Sequence, residues 1–399
     1  MAPGDANRTS IELARDEDDA ASSQHSAIQP VAYQRDERDD PEDGTAICLS
    51  GGGARAMIFH LGALYRLNEA GILKDAKRIS GVSGGSITAG SLGLGWHNLE
   101  WDGARATNLA EILRPIEDFA AKSVDVHSVL EGLIRPDQNA ADRLEHAFDQ
   151  HLYHGATLQN LPDDTSGPRF VFCSTNLSSS VLFRFSKPYA RDWRVGEIKN
   201  PTFRVSQAVA ASAAFPPFFA PLEIDVDPSM FTPNSGSKEL GIPAFQRRLR
   251  LADGGVYDNL GLEPIFKRYR TIYCSDGGGQ VADDPNPATD WIRETLRMTS
   301  VIDHQVRSLR KRLLIAAYDR EDRKGAYWGI RQVIPVGGPL ECPGDSTMAL
   351  ANLPTRLDGM TPQIRDRLIN WGYAATDSAL RLKKVPAPEP TFPRAGGVG

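Results

Sequence analysis

The chain has 399 residues, of which 24% are charged and 41% hydrophobic, and its 51 acidic residues outnumber its 45 basic ones. The formal net charge of −6 disfavours a nucleic-acid-binding protein, which normally carries a basic balance or a basic face, so we expect no nucleic-acid partner. Four scattered cysteines are too few for a disulfide framework, and no spacing of metal ligands is present. We expect neither a metal nor any other cofactor.

Residues 1–43 are acid-rich and polar and almost lack large apolar side chains, so we expect this segment to be disordered. It has no apolar core of the kind found in a signal peptide. No later run approaches the roughly eighteen apolar residues that a membrane-spanning helix needs. We therefore expect a cytoplasmic protein with peripheral membrane association, and delivery outside the cell by a signal-less route stays open.

The first informative stretch is a short apolar run, Ile47–Leu49, which is soon followed by Gly51, Gly52 and Gly53 and then by a helical pattern. This order predicts a buried strand that turns sharply into a helix. Glycines let the backbone approach a ligand closely, and amides at a helix N-terminus favour negative charge. We expect the amides of these glycines to form an oxyanion hole, although the motif alone also suits a phosphate-binding loop.

The same arrangement recurs around Ser83. Gly81, Ser83 and Gly85 have the Gly-x-Ser-x-Gly spacing of a nucleophile elbow, in which the glycines permit the crowded turn that exposes the serine hydroxyl. The residues before this turn predict a strand, and those after it predict a helix of small and apolar residues, which is the context that the motif requires. Ser83 is therefore the candidate nucleophile.

A serine nucleophile needs a neighbouring base to accept its proton. Six histidines are neither flanked by glycines nor preceded by an apolar strand, so ordinary structural roles are favoured for them: His60, His127, His146, His151, His154 and His304. Asp253 is the better candidate, because a predicted strand ends there and Gly254 and Gly255 follow it. Asp-Gly is also a common turn signal, so a simple turn remains an alternative, and Asp258 is the second candidate for the base.

Three ordered motifs, Gly51–Arg55, Gly81–Gly85 and Asp253–Gly255, resemble those of the patatin-like phospholipases, a family of bacterial, plant and animal lipid acyl hydrolases. The resemblance covers approximately residues 44–280. Members of the family often carry a further glycine after the basic residue of the first motif, where this chain has Ala56. Alanine is small and favours helix, so we interpret this departure as mild.

The resemblance implies a catalytic dyad of Ser83 and Asp253 that has no histidine. It also implies an oxyanion hole built from the Gly51–Gly53 amides, and Arg55 matches the basic residue that follows the glycines in the family. The expected fold is α/β: a three-layer sandwich in which a mainly parallel central sheet is flanked by helices. The expected division of the chain is a disordered segment (1–43), a catalytic domain (44–280), a helical region packed on that domain (281–385) and a disordered tail (386–399).

These features predict a lipid acyl hydrolase of the phospholipase A type, which cleaves fatty-acyl esters through an acyl-serine intermediate. Its expected substrate is a phospholipid or another acyl-ester lipid, and oligomerisation or an activating ligand stays open. Two alternatives remain. One is a carboxylesterase or thioesterase that acts on soluble esters, and the other is a non-catalytic module whose glycine turns bind an anion.

Overall fold

The computed structural model describes residues 41–122, 140–216, 219–281, 283–335, 337–354 and 360–399. The segment predicted to be disordered, 1–43, lies outside the described residues except for its last three. The first strand already begins at Glu42.

The described residues form twelve strands: β1 Glu42–Leu49, β2 Ala76–Gly81, β3 Trp101–Asp102, β4 Arg105–Ala106, β5 Arg169–Asn176, β6 Val181–Phe185, β7 Tyr189–Asp192, β8 Gly196–Lys199, β9 Leu222–Asp225, β10 Arg248–Asp253, β11 Tyr269–Asp276 and β12 Lys324–Gly329. Their ten α-helices are α1 Gly53–Glu69, α2 Gly84–Gly95, α3 Leu109–Lys122, α4 Ala140–Phe148, α5 Val205–Ala213, α6 Pro243–Gln246, α7 Gly255–Asp258, α8 Trp291–Asp319, α9 Gly344–Ala351 and α10 Pro362–Leu382. No helix of the described chain is both long and apolar enough to cross a bilayer.

Ten of the strands form one mixed sheet, whose main order is β12-β11-β1-β2-β5-β6-β7-β8, with β10 paired to β5 and β9 paired to β10. All neighbours from β12 to β5 run parallel. The pairs from β5 to β8 are antiparallel. The α/β class is confirmed. The parallel half of the sheet carries the first two predicted motifs, and the third lies at the end of β10, which is antiparallel to β5.

Both faces of the sheet are covered by helices. Ile47 and Leu49 of β1 belong to a large core that also includes residues of α1 and α10, whereas Ala46 and Cys48 belong to a second core with residues of α8. All four side chains are fully buried. Because successive side chains of a strand point to opposite faces, this division confirms the expected sandwich of helices around a sheet.

The region 281–385, predicted to be helical, contains α8, α9 and α10 but also β12. This strand extends the sheet in parallel with β11, from the pair Thr271 and Lys324 to the pair Asp276 and Gly329. Its short sequence with two glycines gives no strand pattern. This region is therefore partly built into the sheet rather than only packed on it.

The tail, 386–399, also differs from its prediction. The Asn370 side-chain amide on α10 donates hydrogen bonds to the carbonyls of Arg394 and Gly397 at 2.9 and 2.7 Å, and Val398 is buried. Composition alone predicts disorder here because prolines and glycines form no regular element. Their carbonyl groups nevertheless find donors on α10.

Helices α1 and α10 pack closely because each has a glycine at the crossing. A Cβ on Gly62 would overlap the carbonyl of Ile369, and one on Gly372 would overlap the carbonyl of Phe59. We expect Gly62→Ala to lower the free energy of unfolding by about 2 kcal/mol or more, since the helices would have to separate. Urea denaturation measures this, with Gly344→Ala as the control because its Cβ would meet nothing within 4 Å. Equal effects of the two substitutions would contradict the prediction.

Candidate active site

Strands β2 and β10 approach each other end to end along the same side of β5. β2 runs parallel to β5 and places Gly81 opposite Phe172, whereas β10 runs antiparallel and places Asp253 opposite Ser174. The last residues of the two strands therefore point toward a common gap. This topology brings Ser83, which follows β2, next to the residue that ends β10.

Ser83 occupies a strained turn between β2 and α2. Its φ of 51° and ψ of −120° lie where L side chains are uncommon, so the surrounding structure must hold this conformation. The Ser83 N–H lies 3.1 Å from the backbone carbonyl and 3.0 Å from the hydroxyl oxygen of Ser212, and both accept its hydrogen bond. A Cβ on Gly81 or on Gly85 would collide with backbone atoms, which explains the two glycines of the elbow.

The carboxylate of Asp253 is buried and contacts the serine. Its Oδ1 accepts a hydrogen bond from the N–H of Gly255 at 2.6 Å, and the Ser83 side chain lies beside the carboxylate. Burial raises the pKa of Asp253 to about 7; the Gly255 N–H and the Ser83 hydroxyl oppose this rise, and the nearby Asp303 carboxylate adds to it. A carboxylate with this pKa, in contact with a hydroxyl, is suited to accept its proton near neutral pH. Gly254 is also required, since a Cβ there would overlap the carbonyl of Cys173.

The three glycines of the first motif have different roles. The N–H of Gly51 donates to the backbone carbonyl of Asn259 at 3.0 Å, so this amide is not available to an oxyanion, contrary to the prediction. Gly52 is the N-cap of α1 and Gly53 its first residue, where N–H groups have no acceptor within the helix. The φ values of 147° and 62° at these two positions also favour glycine. These two amides therefore have no acceptor within the helix, and they remain the candidates for the predicted oxyanion hole.

Close backbone contact joins the glycine loop to the elbow. A Cβ on Gly84 would overlap the carbonyl of Gly53. A Cβ on Gly51 would overlap the side-chain oxygen of Asn259 and would lie 3.2 Å from the Cβ of Ser83. The N-terminus of α1, with its partial positive charge, consequently lies beside the serine.

Arg55 was predicted to belong to the oxyanion hole, but its guanidinium binds backbone carbonyls. Nη1 donates to the carbonyls of Ala351 and Leu353 at 2.9 and 2.7 Å, and Nη2 donates to that of Gly277 at 3.2 Å. Burial, together with two nearby arginines, lowers the pKa of Arg55 to about 10. The side chain thus fastens α1 to the end of α9 and to the turn after β11.

Two other acids near the site, Asp258 and Asp276, make structural hydrogen bonds. The two carboxylate oxygens of Asp258, the alternative base, accept the N–H groups of Leu260 and Glu263 at 3.2 and 2.7 Å. Asp276 accepts hydrogen bonds from the N–H of Gly278 at 2.9 Å and from the Tyr327 hydroxyl at 2.7 Å. Within the described ranges, no three His, Cys, Asp or Glu side chains are grouped so that they could hold a metal ion.

His60 lies behind the glycine loop and has a structural role. Its Nε2 is 2.9 Å from the carbonyl of Ser50 and therefore carries the proton, while Nδ1 accepts a hydrogen bond from the Ser275 hydroxyl at 2.8 Å. Burial lowers the pKa of His60 to about 4, so the ring stays neutral. The structural role expected for this histidine agrees with these contacts.

Sequence reasoning missed Ser212 and Asn259. The carbonyl of Ser212 also accepts the N–H of Gly254 at 3.3 Å, so this residue connects the nucleophile turn with the base turn. Its only sequence signal is a polar side chain within a buried run of alanines. The Asn259 side chain lies against the turn at Gly51 and against that at Gly255, and its signal is an amide shortly after the Asp-Gly-Gly turn.

The fold and the site together define an α/β protein in which a serine at a strand-to-helix elbow meets a buried carboxylate beside the N-terminus of a helix. The family model for patatin-like phospholipases matches residues 47–266, which is just over half of the chain. The chain therefore belongs to the patatin-like phospholipase family, as the three motifs predicted.

Solved structures with a similar fold have low sequence identity to this chain. Human GIVD cytosolic phospholipase A2 is 15% identical with a TM-score of 0.41, over 68% of this chain and 52% of that one. VipD from Legionella pneumophila is 16% identical with a TM-score of 0.39, over 90% of this chain and 73% of that one. The chain thus spans about half the length of the first of these proteins. A search of curated proteins found no significant match.

Proposed function

We propose that the protein is a phospholipase A-type hydrolase in which Ser83 is the nucleophile and Asp253 is the general base. The observation that carries this proposal is the meeting of β2 and β10 on one side of β5, which places the Ser83 side chain beside the buried carboxylate of Asp253, whose pKa is raised to about 7. Membership in the patatin-like family supports a lipid ester as the substrate. No histidine is required, because the carboxylate itself accepts the proton.

In the first step, Ser83 Oγ attacks the carbonyl carbon of the ester while Asp253 takes the hydroxyl proton. The carbonyl oxygen becomes an oxyanion, which the N–H groups of Gly52 and Gly53 stabilise. Collapse of this intermediate breaks the ester bond, and the proton on Asp253 passes to the departing alkoxide. Asp253 then accepts a proton from water, whose oxygen attacks the acyl-serine, and the proton returns to Ser83 as the fatty acid leaves.

The substrate class also implies contact with a membrane. Phospholipids with long acyl chains are present in bilayers, so an enzyme that cleaves them must bind the bilayer surface or extract single molecules from it. We propose that this protein binds membranes peripherally.

Hydrolysis of phospholipid vesicles, compared with hydrolysis of a soluble short-chain ester such as p-nitrophenyl butyrate, tests the proposed substrate. A lipid hydrolase is expected to release fatty acid from the vesicles and to gain rate when an ester is presented in aggregates. A carboxylesterase or thioesterase would show no such gain. An anion-binding module would hydrolyse neither substrate and would bind anions whether or not Ser83 is intact.

The pKa of Asp253 gives the reaction a predicted pH dependence. A general base acts in its deprotonated form, so kcat/KM should be low at acidic pH and rise as the pH increases through about 7. Because the Asp303 carboxylate raises this pKa, Asp303→Asn is expected to move the rising limb to lower pH. Glu294→Gln removes an exposed acid from α8, the helix that also carries Asp303, and should leave the rising limb of the pH profile at the same pH. A profile that is flat between pH 5 and 9 would contradict the assignment of the base.

A further inference from the structure

Helix α8 presents a stripe of exposed apolar side chains. Trp291 is 76% exposed, Met298 58%, Ile302 63% and Leu309 57%, and Leu313 continues the row. These residues are spaced alternately by seven and four positions, so they lie on one face of the helix. Isolated apolar residues on a surface are ordinary, but a row along about six helical turns marks a surface that binds another molecule.

The opposite side of α8 forms part of the wall of the active site. Arg307 donates a hydrogen bond to the carbonyl of Gly279, and Arg310 forms an ion pair with Glu263 at 2.9 Å and lies over the ring of Tyr257. Asp303, one residue after Ile302, is close enough to raise the pKa of Asp253. The helix that carries the apolar stripe is thus fixed to the turn that carries the proposed base.

The chemistry of α8 is that of a helix that lies in a membrane interface. In a chain with a formal net charge of −6, this helix has six basic residues against three acidic ones. Anionic lipid attracts such a basic helix, and tryptophan favours the headgroup level of a bilayer. The basic residues are Arg293, Arg297, Arg307, Arg310, Lys311 and Arg312, and the acidic ones are Glu294, Asp303 and Asp319.

We propose that the outward face of α8 is the surface by which the protein docks on anionic bilayers. The row from Trp291 to Leu313 enters the interface, and Arg293 and Arg312, whose side chains are exposed, contact lipid headgroups together with Arg297. Arg307, Arg310 and Lys311 instead contact the protein on the inward side. Docking in this way places the active site next to the bilayer, because the inward face of the same helix borders Asp253. The inference rests on the proposed function only in its choice of lipid as the partner.

Binding to vesicles tests this docking surface separately from catalysis. The protein is prepared as Ser83→Ala, so that lipid is not consumed, and co-sedimentation is measured with vesicles of phosphatidylcholine alone and with added phosphatidylglycerol. The triple substitution Trp291→Gln, Met298→Gln, Ile302→Gln is expected to weaken binding to the mixed vesicles at least about tenfold, since apolar burial is lost. The control is Leu382→Gln, which replaces a leucine that is 80% exposed on α10 and should bind normally.

The charge contribution is tested by Arg293→Gln with Arg297→Gln and Arg312→Gln. We expect this variant to lose about fivefold in affinity per replaced residue for the anionic vesicles and little for phosphatidylcholine. Quenching of tryptophan fluorescence by brominated acyl chains gives an independent readout, and Trp291→Phe should remove part of it. These side chains are outside the proposed catalytic machinery, so hydrolysis of the soluble ester should be unchanged.

Normal vesicle binding by the triple variant would contradict the proposed docking surface but would not contradict the proposed activity. Wild-type protein that binds vesicles through α8 but releases no fatty acid would instead contradict the proposed function. If analytical ultracentrifugation shows a dimer that the triple substitution dissociates, with vesicle binding unaffected, the stripe joins two copies of the chain and the proposal is wrong.

Discussion

Replacement of Ser83 by alanine is expected to lower kcat for phospholipid hydrolysis by at least about a thousandfold, because no acyl-serine can form. The remaining activity would come from binding and from the oxyanion donors alone. Ser91→Ala is a suitable control, since Ser91 lies on α2, the helix that begins directly after Ser83. Fatty-acid release under saturating lipid measures both variants. Activity within about tenfold of wild type in Ser83→Ala would exclude Ser83 as the nucleophile.

Asp253→Asn is expected to reduce kcat/KM by about a hundredfold to ten-thousandfold, since the amide has the shape of the carboxylate but cannot accept the proton. Asp258→Asn is the matched control. That carboxylate accepts two backbone N–H groups and forms an ion pair with Arg310, so its replacement should affect stability more than catalysis. If Asp258→Asn abolished turnover in folded protein while Asp253→Asn did not, the alternative base would be the correct one.

The stability of Asp253→Asn distinguishes loss of the base from loss of the fold. Burial raises the pKa of Asp253 to about 7 in the folded protein, above the value of about 3.9 in an unfolded chain. Folded protein thus binds more protons than unfolded protein between these pH values, and the charged carboxylate destabilises the fold increasingly as the pH rises through them. At pH 8, the free energy of unfolding of Asp253→Asn is therefore expected to exceed that of wild type by at most about 4 kcal/mol. At pH 4, no such gain is expected.

Residue pattern was sufficient to locate both proposed catalytic residues. A Cβ on Gly81, Gly85 or Gly254 would overlap backbone atoms, and one on Gly255 would meet the side chains of Asp253 and Asn259. Such requirements are visible in a sequence because few residues other than glycine satisfy them. The apolar run of β1 predicted a buried strand, because a parallel sheet that is covered on both faces needs continuous apolar side chains. The roles of Ser83 and Asp253 remain predictions until their variants are measured.

The residue pattern could not predict which hydrogen-bond partners these groups have in the fold. Three adjacent glycines look equivalent in a sequence, and only the fold shows that the Gly51 N–H is taken by the carbonyl of Asn259. The resemblance to the family placed Arg55 at the oxyanion hole, yet its donors bind backbone carbonyls of residues nearly three hundred positions away. Ser212 connects the turn at Ser83 with the turn at Gly254 through its backbone carbonyl and its hydroxyl, and a sequence pattern does not predict such contacts.

The most direct test of the central claim is labelling with a fluorophosphonate probe, followed by peptide mass mapping of the modified residue. Such probes react with serines that a neighbouring base has activated, so the proposed dyad predicts a single adduct on Ser83. Labelling should be lost in Ser83→Ala and strongly slowed in Asp253→Asn, with Ser91→Ala and Asp258→Asn labelled like wild type. An adduct on another serine, or labelling of Ser83 at an unchanged rate in Asp253→Asn, would contradict the account.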